Sequence, residues 1–290
     1  MKELVILSGK GGTGKTSITA AFAALSKDSV LCDADVDAAD LHLLMDPHIL
    51  RQTDFNSGAV AVIDAEKCSE CRLCQDLCRF NAIDADFTVD PIVCEVCGVC
   101  VDLCPEKAIA FPTKTCGQWF ISETRFGPLV HARLGIAEEN SGKLVALVRQ
   151  EARRVAEESA ADLIITDGPP GVGCPVIASL GGATALLIVA EPTISGIHDM
   201  ERVVGLARHF RIPCMVCINK YDLNQANTAA IKLMAKENGL PLVGRIPFDP
   251  SVVSSMVHGR TIVEAEPNSP AGYAVANVWQ AVLATNQMSR

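Results

Sequence analysis

The chain has 290 residues, of which 49% are hydrophobic, and it carries a formal net charge of −9 at pH 7. A chain of this length can bury one large core, or a core with a small satellite domain. The negative charge argues against nucleic acid as a partner, because binding to phosphates calls for clustered Lys and Arg. No apolar run reaches the roughly 18 residues of a membrane span, and the N-terminus lacks a signal-peptide pattern. We therefore expect a cytoplasmic protein that does not insert into a membrane.

The first motif lies close to the N-terminus. Leu4–Leu7 predicts a strand, residues 16–25 predict a helix, and Gly9–Thr16 between them fits G-x-x-x-x-G-K-[ST]. Glycines let such a loop wrap closely around a phosphate, so that successive backbone N–H groups point at it. We predict a nucleotide site in which Lys15 reaches the β- and γ-phosphates and Thr16 holds Mg²⁺. The residues expected to contact the phosphates are Gly11, Gly12, Thr13, Gly14, Lys15, Thr16 and Ser17.

A second lysine, Lys10, lies in the same loop. The segment from Lys10 to Thr16, Lys-Gly-Gly-Thr-Gly-Lys-Thr, resembles the deviant Walker A motif of the MinD/ParA and nitrogenase iron protein superfamily. In that superfamily the extra lysine reaches across a dimer interface to the partner's nucleotide. The resemblance implies that this chain is an ATPase, that it forms an ATP-dependent homodimer and that Lys10 is catalytic. The alternative for this residue is an exposed lysine on a polar loop.

Two aspartate-containing segments complete the predicted nucleotide site. A predicted strand, Ser29–Cys32, ends in a run of aspartates that includes Asp35, and so many carboxylates at a strand end favour a nearby cation. The run resembles switch I of the MinD-type ATPases, which implies that Asp35 positions the attacking water. The apolar strand ending at Asp167 resembles Walker B and switch II, which implies that Asp167 reaches Mg²⁺. Helix capping and an ordinary strand-end turn are the alternatives.

Two later segments are expected to contact the base of the nucleotide. Asn219-Lys220-Tyr221-Asp222 looks like the guanine-reading N-K-x-D motif of GTPases. In MinD-type ATPases an asparagine in the place of Asn219 contacts adenine, and the segment 246–249 resembles the loop that closes over that base. The resemblance favours ATP, with Asn219, Pro247 and Asp249 as base contacts. GTP stays open, because Asp222 could accept two hydrogen bonds from guanine.

Cysteines dominate residues 64–112. Two runs with the spacing C-x2-C-x2-C-x3-C begin 26 residues apart, at Cys68 and at Cys94, and residues around them repeat as well. This duplication resembles the bacterial ferredoxin with two [4Fe–4S] clusters. The resemblance implies that each cluster takes its fourth ligand from the other run. One set is then Cys68, Cys71, Cys74 and Cys104, and the other is Cys94, Cys97, Cys100 and Cys78. Zinc is the competing interpretation, since paired C-x2-C motifs also bind it.

Other cysteines are expected to be structural. Cys174 follows Asp167 at a distance similar to that of the bridging cluster ligand of the nitrogenase iron protein, with Cys116 as its one plausible companion. We favour a small residue before proline in a tight turn for Cys174. Cys214 and Cys217 lie in a predicted strand, where residues three apart face opposite sides, so we expect both in the core.

Alternating strands and helices predict an α/β P-loop NTPase fold with a mostly parallel sheet and helices on both faces. We expect the ATPase domain over residues 1–63 and 113–290, with an inserted ferredoxin-like α+β two-cluster domain at 64–112. The expected function couples a nucleotide-driven dimer switch to electron transfer through the clusters, with an unknown redox protein as partner. The alternative is an iron–sulfur scaffold or carrier, or a positioning ATPase whose clusters are structural or sensory.

Overall fold

The computed structural model describes residues 1–26, 28–135 and 141–288. The strands are β1 (Lys2–Leu7), β2 (Ser29–Asp33), β3 (His48–Ala59), β4 (Val62–Ile63), β5 (Ile109–Ala110), β6 (Thr113–Thr124), β7 (Gly127–Leu134), β8 (Leu163–Asp167), β9 (Ala185–Ala190), β10 (Cys214–Asn219) and β11 (Leu242–Ile246). The helices are α1 (Lys15–Leu25), α2 (Leu41–Met45), α3 (Leu73–Leu77), α4 (Val99–Asp102), α5 (Ser141–Glu158), α6 (Cys174–Leu180), α7 (Ile194–His209), α8 (Gln225–Glu237), α9 (Pro250–Val257), α10 (Ile262–Ala265) and α11 (Pro270–Leu283).

The chain divides into two compact units. The larger comprises Met1–Thr53, Trp119–Arg133 and Ser141–Arg290, and the smaller comprises Asp54–Gln118 and Leu134–Asn140. The duplicated cysteine motif lies entirely in the smaller unit. The boundaries between the units fall within β3 and β6, near the end of β7 and at the start of α5. All lie outside the predicted limits of the insertion at 64 and 112, and those limits stay a prediction.

The larger unit is built on a sheet. Its strand order in the described residues is β11-β10-β9-β1-β8-β2-β7-β6-β3. Every neighbouring pair from β11 to β7 is parallel. A parallel sheet is covered by helices on both faces, which explains why β1, β2 and β9 are almost entirely buried. The predicted α/β P-loop fold with a mostly parallel sheet is confirmed.

Strand β1 separates two apolar cores, because its side chains alternate between the sheet faces. Leu4 and Ile6 belong to the core formed with α1 and α11, in which the rings of Phe22 and Trp279 lie 4.8 Å apart. Val5 and Leu7 belong to the core on the other face, formed with α6, α7 and α8.

The C-terminal helix α11 buries its apolar face in the first of these cores. Val275, Val278, Trp279 and Val282 are all at most 2% exposed, as expected for a helix that packs on its own domain. None of the helices in the described parts of the chain is long and apolar enough to cross a membrane.

Parallel strands bring their carboxyl ends to one edge of the sheet. The loop after β1, the segment after β2, Asp167 at the end of β8 and Asn219 at the end of β10 all lie at that edge. In open α/β sheets this edge is where ligands bind.

The smaller unit contains an internal repeat of 26 residues, seen in its backbone as well as in its cysteines. Helices α3 and α4 begin at equivalent positions. Left-handed backbone conformations recur in equivalent pairs, namely Glu70 and Val96, Arg72 and Gly98, and Asn81 and Lys107. Two of these pairs, Glu70 with Val96 and Asn81 with Lys107, join non-glycine residues, which rarely adopt this conformation. The matches indicate one folding unit used twice.

The two repeats exchange their ends. The N–H of Asp64 donates to the carbonyl of Ala108 at 2.7 Å, and the equivalent N–H of Asp90 donates to Ala82 at 2.8 Å. Strand β4 pairs with β5 in the same way that Ile83 pairs with Val89. Each repeat is therefore completed by the end of the other.

Candidate functional site

The glycine-rich loop is held in place by Asn219, which lies at the end of β10 at the same edge of the sheet. Gly14 has a positive φ of 89°, and a Cβ there would lie only 2.3 Å from Nδ2 of Asn219, so glycine is required on both counts. Nδ2 of Asn219 donates to the carbonyl of Thr13 at 2.7 Å. Asn219, predicted as a base contact, thus also supports the phosphate loop.

Four residues predicted for the phosphate and Mg²⁺ chemistry meet at the start of α1. Nζ of Lys15 lies 2.9 Å from Asp167 and 3.4 Å from Asp35. The hydroxyl of Thr16 donates to the carboxylate of Asp167 at 2.6 Å. Thr19, which the sequence analysis missed, donates to the other oxygen of Asp167 at 2.8 Å. Its position one helical turn after Lys15 is the signal that could have identified it.

Negative charge exceeds positive charge at this point. Burial raises the pKa of Asp35 to about 6, and burial together with Asp167 raises the pKa of the fully buried Asp33. Burial opposes the charge on Lys15, but the carboxylates of Asp167 and Asp35 outweigh it and raise the pKa of Lys15. Hydroxyl and carboxylate oxygens are the ligands that Mg²⁺ prefers. The residues present therefore fit a Mg–nucleotide, with Thr16 and Asp167 as the groups that would hold the ion.

A cavity of about 420 Å³ adjoins this cluster. The phosphate loop from Gly11 to Ser17 and Asp35 line one part of it, and Asn219, Pro247 and Asp249 line another. Apolar side chains, including Phe248, Val253 and Met256, complete the wall. A volume of a few hundred Å³ with one polar and one apolar side suits a nucleotide. A larger cavity, about 630 Å³, lies near Met1 and Trp279 and contains none of the predicted site residues.

The loop that borders the cavity is fixed by Asp222. Its carboxylate accepts a hydrogen bond from the N–H of Phe248 at 2.7 Å. Asp249 caps α9 by accepting from the N–H of Ser251 at 2.9 Å. Oδ1 of Asp222 thus has a structural partner within the chain.

Lys10 is directed away from the phosphate cluster of its own chain. Its Nζ lies 3.0 Å from Glu191 and 3.2 Å from the hydroxyl of Thr193. The other carboxylate oxygen of Glu191 lies 3.0 Å from Nζ of Lys220, which also donates to the carbonyl of Gly12 at 2.9 Å. Burial opposes the charge on Glu191, but its two lysine partners prevail and lower its pKa. The sequence analysis did not identify Glu191, although it follows β9 at the same edge of the sheet.

In the smaller unit, the cysteines line two separate cavities. One contains Cys68, Cys71, Cys74 and Cys104, and the other contains Cys78, Cys94, Cys97 and Cys100. Apolar residues such as Ile63 and Ile109 line the first cavity, and Phe80, Ile83 and Phe111 line the second. Each cavity therefore takes three cysteines from one repeat and one from the other.

The thiols do not converge on a point. Within residues 1–26, 28–135 and 141–288, no three His, Cys, Asp or Glu side chains are grouped so as to hold one metal ion. Zinc needs four sulfurs at about 2.3 Å from a common centre, and a cluster with several irons needs four thiolates around a cavity. Burial, and then the neighbouring cysteines, raise the pKa values of Cys74 and Cys100. Iron bound to the thiolates would offset both effects.

Backbone amides also face two of these sulfurs. The N–H groups of Ala82 and Ala108 donate to Sγ of Cys78 and Cys104, each at 3.3 Å. These are the cysteines that the repeats exchange. Such N–H···S bonds stabilise negative charge on a ligand and tune the potential of a cluster.

The remaining cysteines have other surroundings. Cys116 is buried in the smaller unit, where its thiol donates to the carbonyl of Ser57. Cys174 is exposed and begins α6 in the larger unit, so the predicted tight turn is wrong. Proline in the first turn of a helix explains why the chain is helical there. Cys214 and Cys217 contribute to opposite cores, which confirms the interpretation of this pair as core residues.

The nucleotide-binding domain of the CobQ/CobB/MinD/ParA family, CbiA, matches residues 4–262 of this chain. The chain belongs to this family. It is 34% identical over 228 residues to an uncharacterized protein of Methanocaldococcus jannaschii, covering 78% of this chain and 80% of that protein. An uncharacterized ATP-binding protein of the same organism is 22% identical over 281 residues, which is 95% of this chain and 85% of that protein.

Solved structures share the fold. The septum site-determining protein MinD of Pyrococcus horikoshii, complexed with Mg-ADP, superimposes with a TM-score of 0.61 at 18% identity, covering 97% of this chain and 95% of that one. MinD in the MinC:MinD cell division complex of Aquifex aeolicus gives a TM-score of 0.58 at 21% identity, covering 99% and 97%. The prediction of a MinD/ParA-type P-loop ATPase is confirmed at the level of family and fold. The two-cluster interpretation depends on this chain's own cysteines.

Proposed function

We propose that this member of the CobQ/CobB/MinD/ParA family hydrolyses ATP as a homodimer and couples that switch to electron transfer through two [4Fe–4S] clusters. The observation that carries the proposal is the pair of four-cysteine cavities, each completed by a cysteine from the other repeat. This is the ligand exchange typical of two-cluster ferredoxins. The same chain carries a complete set of P-loop residues.

The cysteines would hold one cluster through Cys68, Cys71, Cys74 and Cys104, and the other through Cys94, Cys97, Cys100 and Cys78. When bound, each cluster supplies a carrier for one electron. An unidentified redox protein would donate or accept that electron. Apolar side chains line the cavities beside the sulfurs, and the N–H groups of Ala82 and Ala108 stabilise negative charge on two of them.

Residues of the nucleotide site would bind and hydrolyse the ATP. Lys15 and the loop amides bind the phosphates, and Thr16 and Asp167 would hold Mg²⁺. The carboxylate of Asp35, beside Lys15, orients the attacking water. Lys10 serves the nucleotide of the other subunit, where its charge is needed in the transition state. ATP is preferred to GTP because the chain belongs to the CobQ/CobB/MinD/ParA family and is similar to an ATP-binding protein.

Chain connectivity supports coupling between the two activities. The smaller unit lies in sequence between Asp35 and Asp167, and the chain returns to the larger unit at α5. Arg149 of α5 donates to the carbonyls of Ala178 and Gly181, at 2.7 and 2.9 Å, at the end of α6. It is also paired with the buried Glu3 of β1 at 2.8 Å. Helix α6 follows Asp167 in sequence, and its C-terminal end is hydrogen-bonded to α5. We therefore expect a change at the γ-phosphate to reach α5 through α6.

The test uses the full chain purified without oxygen. About eight iron and eight acid-labile sulfide per chain are expected, as about four of each per cluster. The reduction potentials should then differ between the nucleotide-free protein and the protein with Mg²⁺ and a non-hydrolysable ATP analogue. Lys15→Ala is the control, because its potentials should not respond to nucleotide. Stoichiometric zinc would contradict the clusters, and identical potentials and electron-transfer rates with and without nucleotide would contradict the coupling.

A further inference from the structure

The position of Lys10 is determined by contacts within its own chain. Its ammonium has two acceptors, a carboxylate oxygen of Glu191 at 3.0 Å and the hydroxyl of Thr193 at 3.2 Å. Thr193 is itself fixed as the N-cap of α7, where it accepts a hydrogen bond from Gly196. The backbone next to Lys10 packs against the same helix, since a Cβ on Gly9 would lie 2.0 Å from Cβ of Asp199.

To act on a nucleotide bound to another chain, Nζ of Lys10 would exchange these acceptors for phosphate oxygens. Glu191 has only 12% of its side chain exposed, whereas that of Lys10 is 32% exposed. The carboxylate is therefore the fixed member of the pair, and the lysine is the member that can leave. We propose that Glu191 is a positioning residue that retains Lys10 in the single chain, and that dimerisation on ATP releases it. This inference rests on the proposed action of Lys10 in the partner's site.

Lys220 makes such a release reversible. It contacts the second oxygen of Glu191 at 3.0 Å and stays attached to the phosphate loop through the carbonyl of Gly12. When Lys10 leaves, Glu191 still has a cationic partner, so no uncompensated charge is left in a half-buried place. The carboxylate thus passes from two ammonium partners to one, which is a much smaller cost than losing its only partner.

The expected effect follows from symmetry. A partly exposed ion pair changes an equilibrium by up to about fivefold, and a symmetric dimer must release two copies of Lys10. Glu191→Gln should therefore tighten the ATP-dependent dimer by up to about 25-fold. The matched control is Glu201→Gln, which makes the same charge change at an exposed position on α7. Its dimer should have the same dissociation constant as the wild type.

The experiment measures the monomer–dimer dissociation constant of the full chain by sedimentation, with Mg²⁺ and a non-hydrolysable ATP analogue. Thermal melts establish that each variant is folded, and Glu191→Ala provides a second removal of the carboxylate. Both Glu191 variants should dimerise more tightly than the wild type, and Lys10→Ala/Glu191→Gln should behave like Lys10→Ala. Glu191 variants that dimerise no more tightly than the wild type would overturn the inference. So would a tightening that persists without Lys10.

The outcome separates this inference from the proposed function. If Lys10→Ala dimerises and hydrolyses ATP like the wild type, the action of Lys10 in trans is refuted, whatever Glu191 does. If Lys10→Ala fails to dimerise while the Glu191 variants match the wild type, the action in trans stands and the retention by Glu191 is refuted.

Discussion

Lys15 is the residue that holds the carboxylates of the nucleotide site together. Its Nζ contacts Asp167 at 2.9 Å and Asp35 at 3.4 Å, and its side chain is 6% exposed. Lys15→Ala should lower the affinity for Mg-ADP at least about tenfold, because a hydrogen bond to a charged group contributes about 1.5–3 kcal/mol. Isothermal titration calorimetry measures this directly. Lys236→Ala, at an exposed position on α8, should bind like the wild type; equal affinities for all three proteins would remove Lys15 from the site.

The raised pKa of Asp35 predicts a pH-dependent contribution to the free energy of unfolding. Its pKa is about 6 in the folded chain, against about 3.9 in an unfolded chain, so folding disfavours the charged carboxylate. That penalty is full above pH 6, shrinks as the pH falls through 6 and disappears below about pH 4, where the carboxyl is protonated in both states. Asp35→Asn should therefore raise the free energy of unfolding of the nucleotide-free protein by about 3 kcal/mol at pH 7, since one pKa unit corresponds to about 1.4 kcal/mol.

Denaturant titrations at pH 5, 6 and 7 measure this difference. The gain from Asp35→Asn should shrink as the pH falls, since the wild-type carboxyl takes up a proton itself. Asp37→Asn, at an exposed position two residues on, should change stability little. A gain independent of pH would mean that the charge on Asp35 is not its cause.

Motif residues could be predicted from sequence because their chemistry is local to the motif. The loop from Gly9 to Thr16 and the strand-end aspartates Asp35 and Asp167 are recognisable one segment at a time, and parallel strands bring them to one edge. The partner of Lys10 was not predictable in this way. Glu191 lies far along the chain, and only the strand order, with β9 beside β1, brings it to the phosphate loop.

Buried elements were easier to predict than exposed ones. The predicted helix at residues 16–25 and the predicted strand at Ser29–Cys32 match α1 and β2 to within one residue, since apolar runs and helical periods are strong signals. Strand β3 was missed because most of its side chains are exposed and polar. Helix α6 was missed because Pro175 was interpreted as a turn residue instead of a helix start.

The exchange of ends between the repeats gives a prediction for the smaller unit. Cys104 lines the cavity of Cys68, Cys71 and Cys74, although its sequence neighbour Cys100 lines the other one. Cys104→Ala should therefore damage the cluster of the first run and spare the cluster of its own run. Electron paramagnetic resonance of the reduced protein, in which two coupled clusters differ from one, provides the measurement.

Two further variants make this test specific. Cys78→Ala should give the reciprocal result, with loss of the cluster of the second run. Cys174→Ala removes an exposed thiol from the larger unit and should leave iron at the wild-type content. Equal damage by Cys104→Ala and Cys100→Ala to the same cluster would contradict the exchange, and loss of iron in Cys174→Ala would indicate a bridging cluster.

At the scale of the whole molecule, one chain combines two kinds of site with different physical origins. The nucleotide site depends on a sheet whose strands are far apart in sequence, so it needs the complete larger unit. The cysteine cavities depend on contacts within about 50 residues of sequence, in a unit with few buried apolar side chains. A small unit of that kind generally needs metal to be stable. For this reason the spacing of its cysteines predicted the unit better than its hydrophobic pattern did.

The dimer itself provides the last prediction. Thr16, Lys15 and the loop amides already form one chain's phosphate contacts, while Lys10 is turned towards Glu191. A cation supplied from another subunit can accelerate phosphoryl transfer by about 10³ or more. Lys10→Ala should therefore bind Mg-ATP as a single chain without dimerising or hydrolysing it. Lys15→Ala should be inactive for a different reason, because its own phosphate site is impaired although it still presents Lys10.

Mixing the two inactive proteins distinguishes these defects. In a mixed dimer, the Lys10→Ala chain has an intact site that receives Lys10 from its partner, whereas the site of the Lys15→Ala chain stays impaired. ATP hydrolysis should return, with at most one working site per mixed dimer. The rate should follow the fraction of mixed dimers as the mixing ratio is varied, with its maximum near equal amounts. If mixed dimers form and hydrolysis never returns, or if Lys10→Ala alone hydrolyses ATP normally, Lys10 is an ordinary loop lysine and its action in the partner's site is refuted.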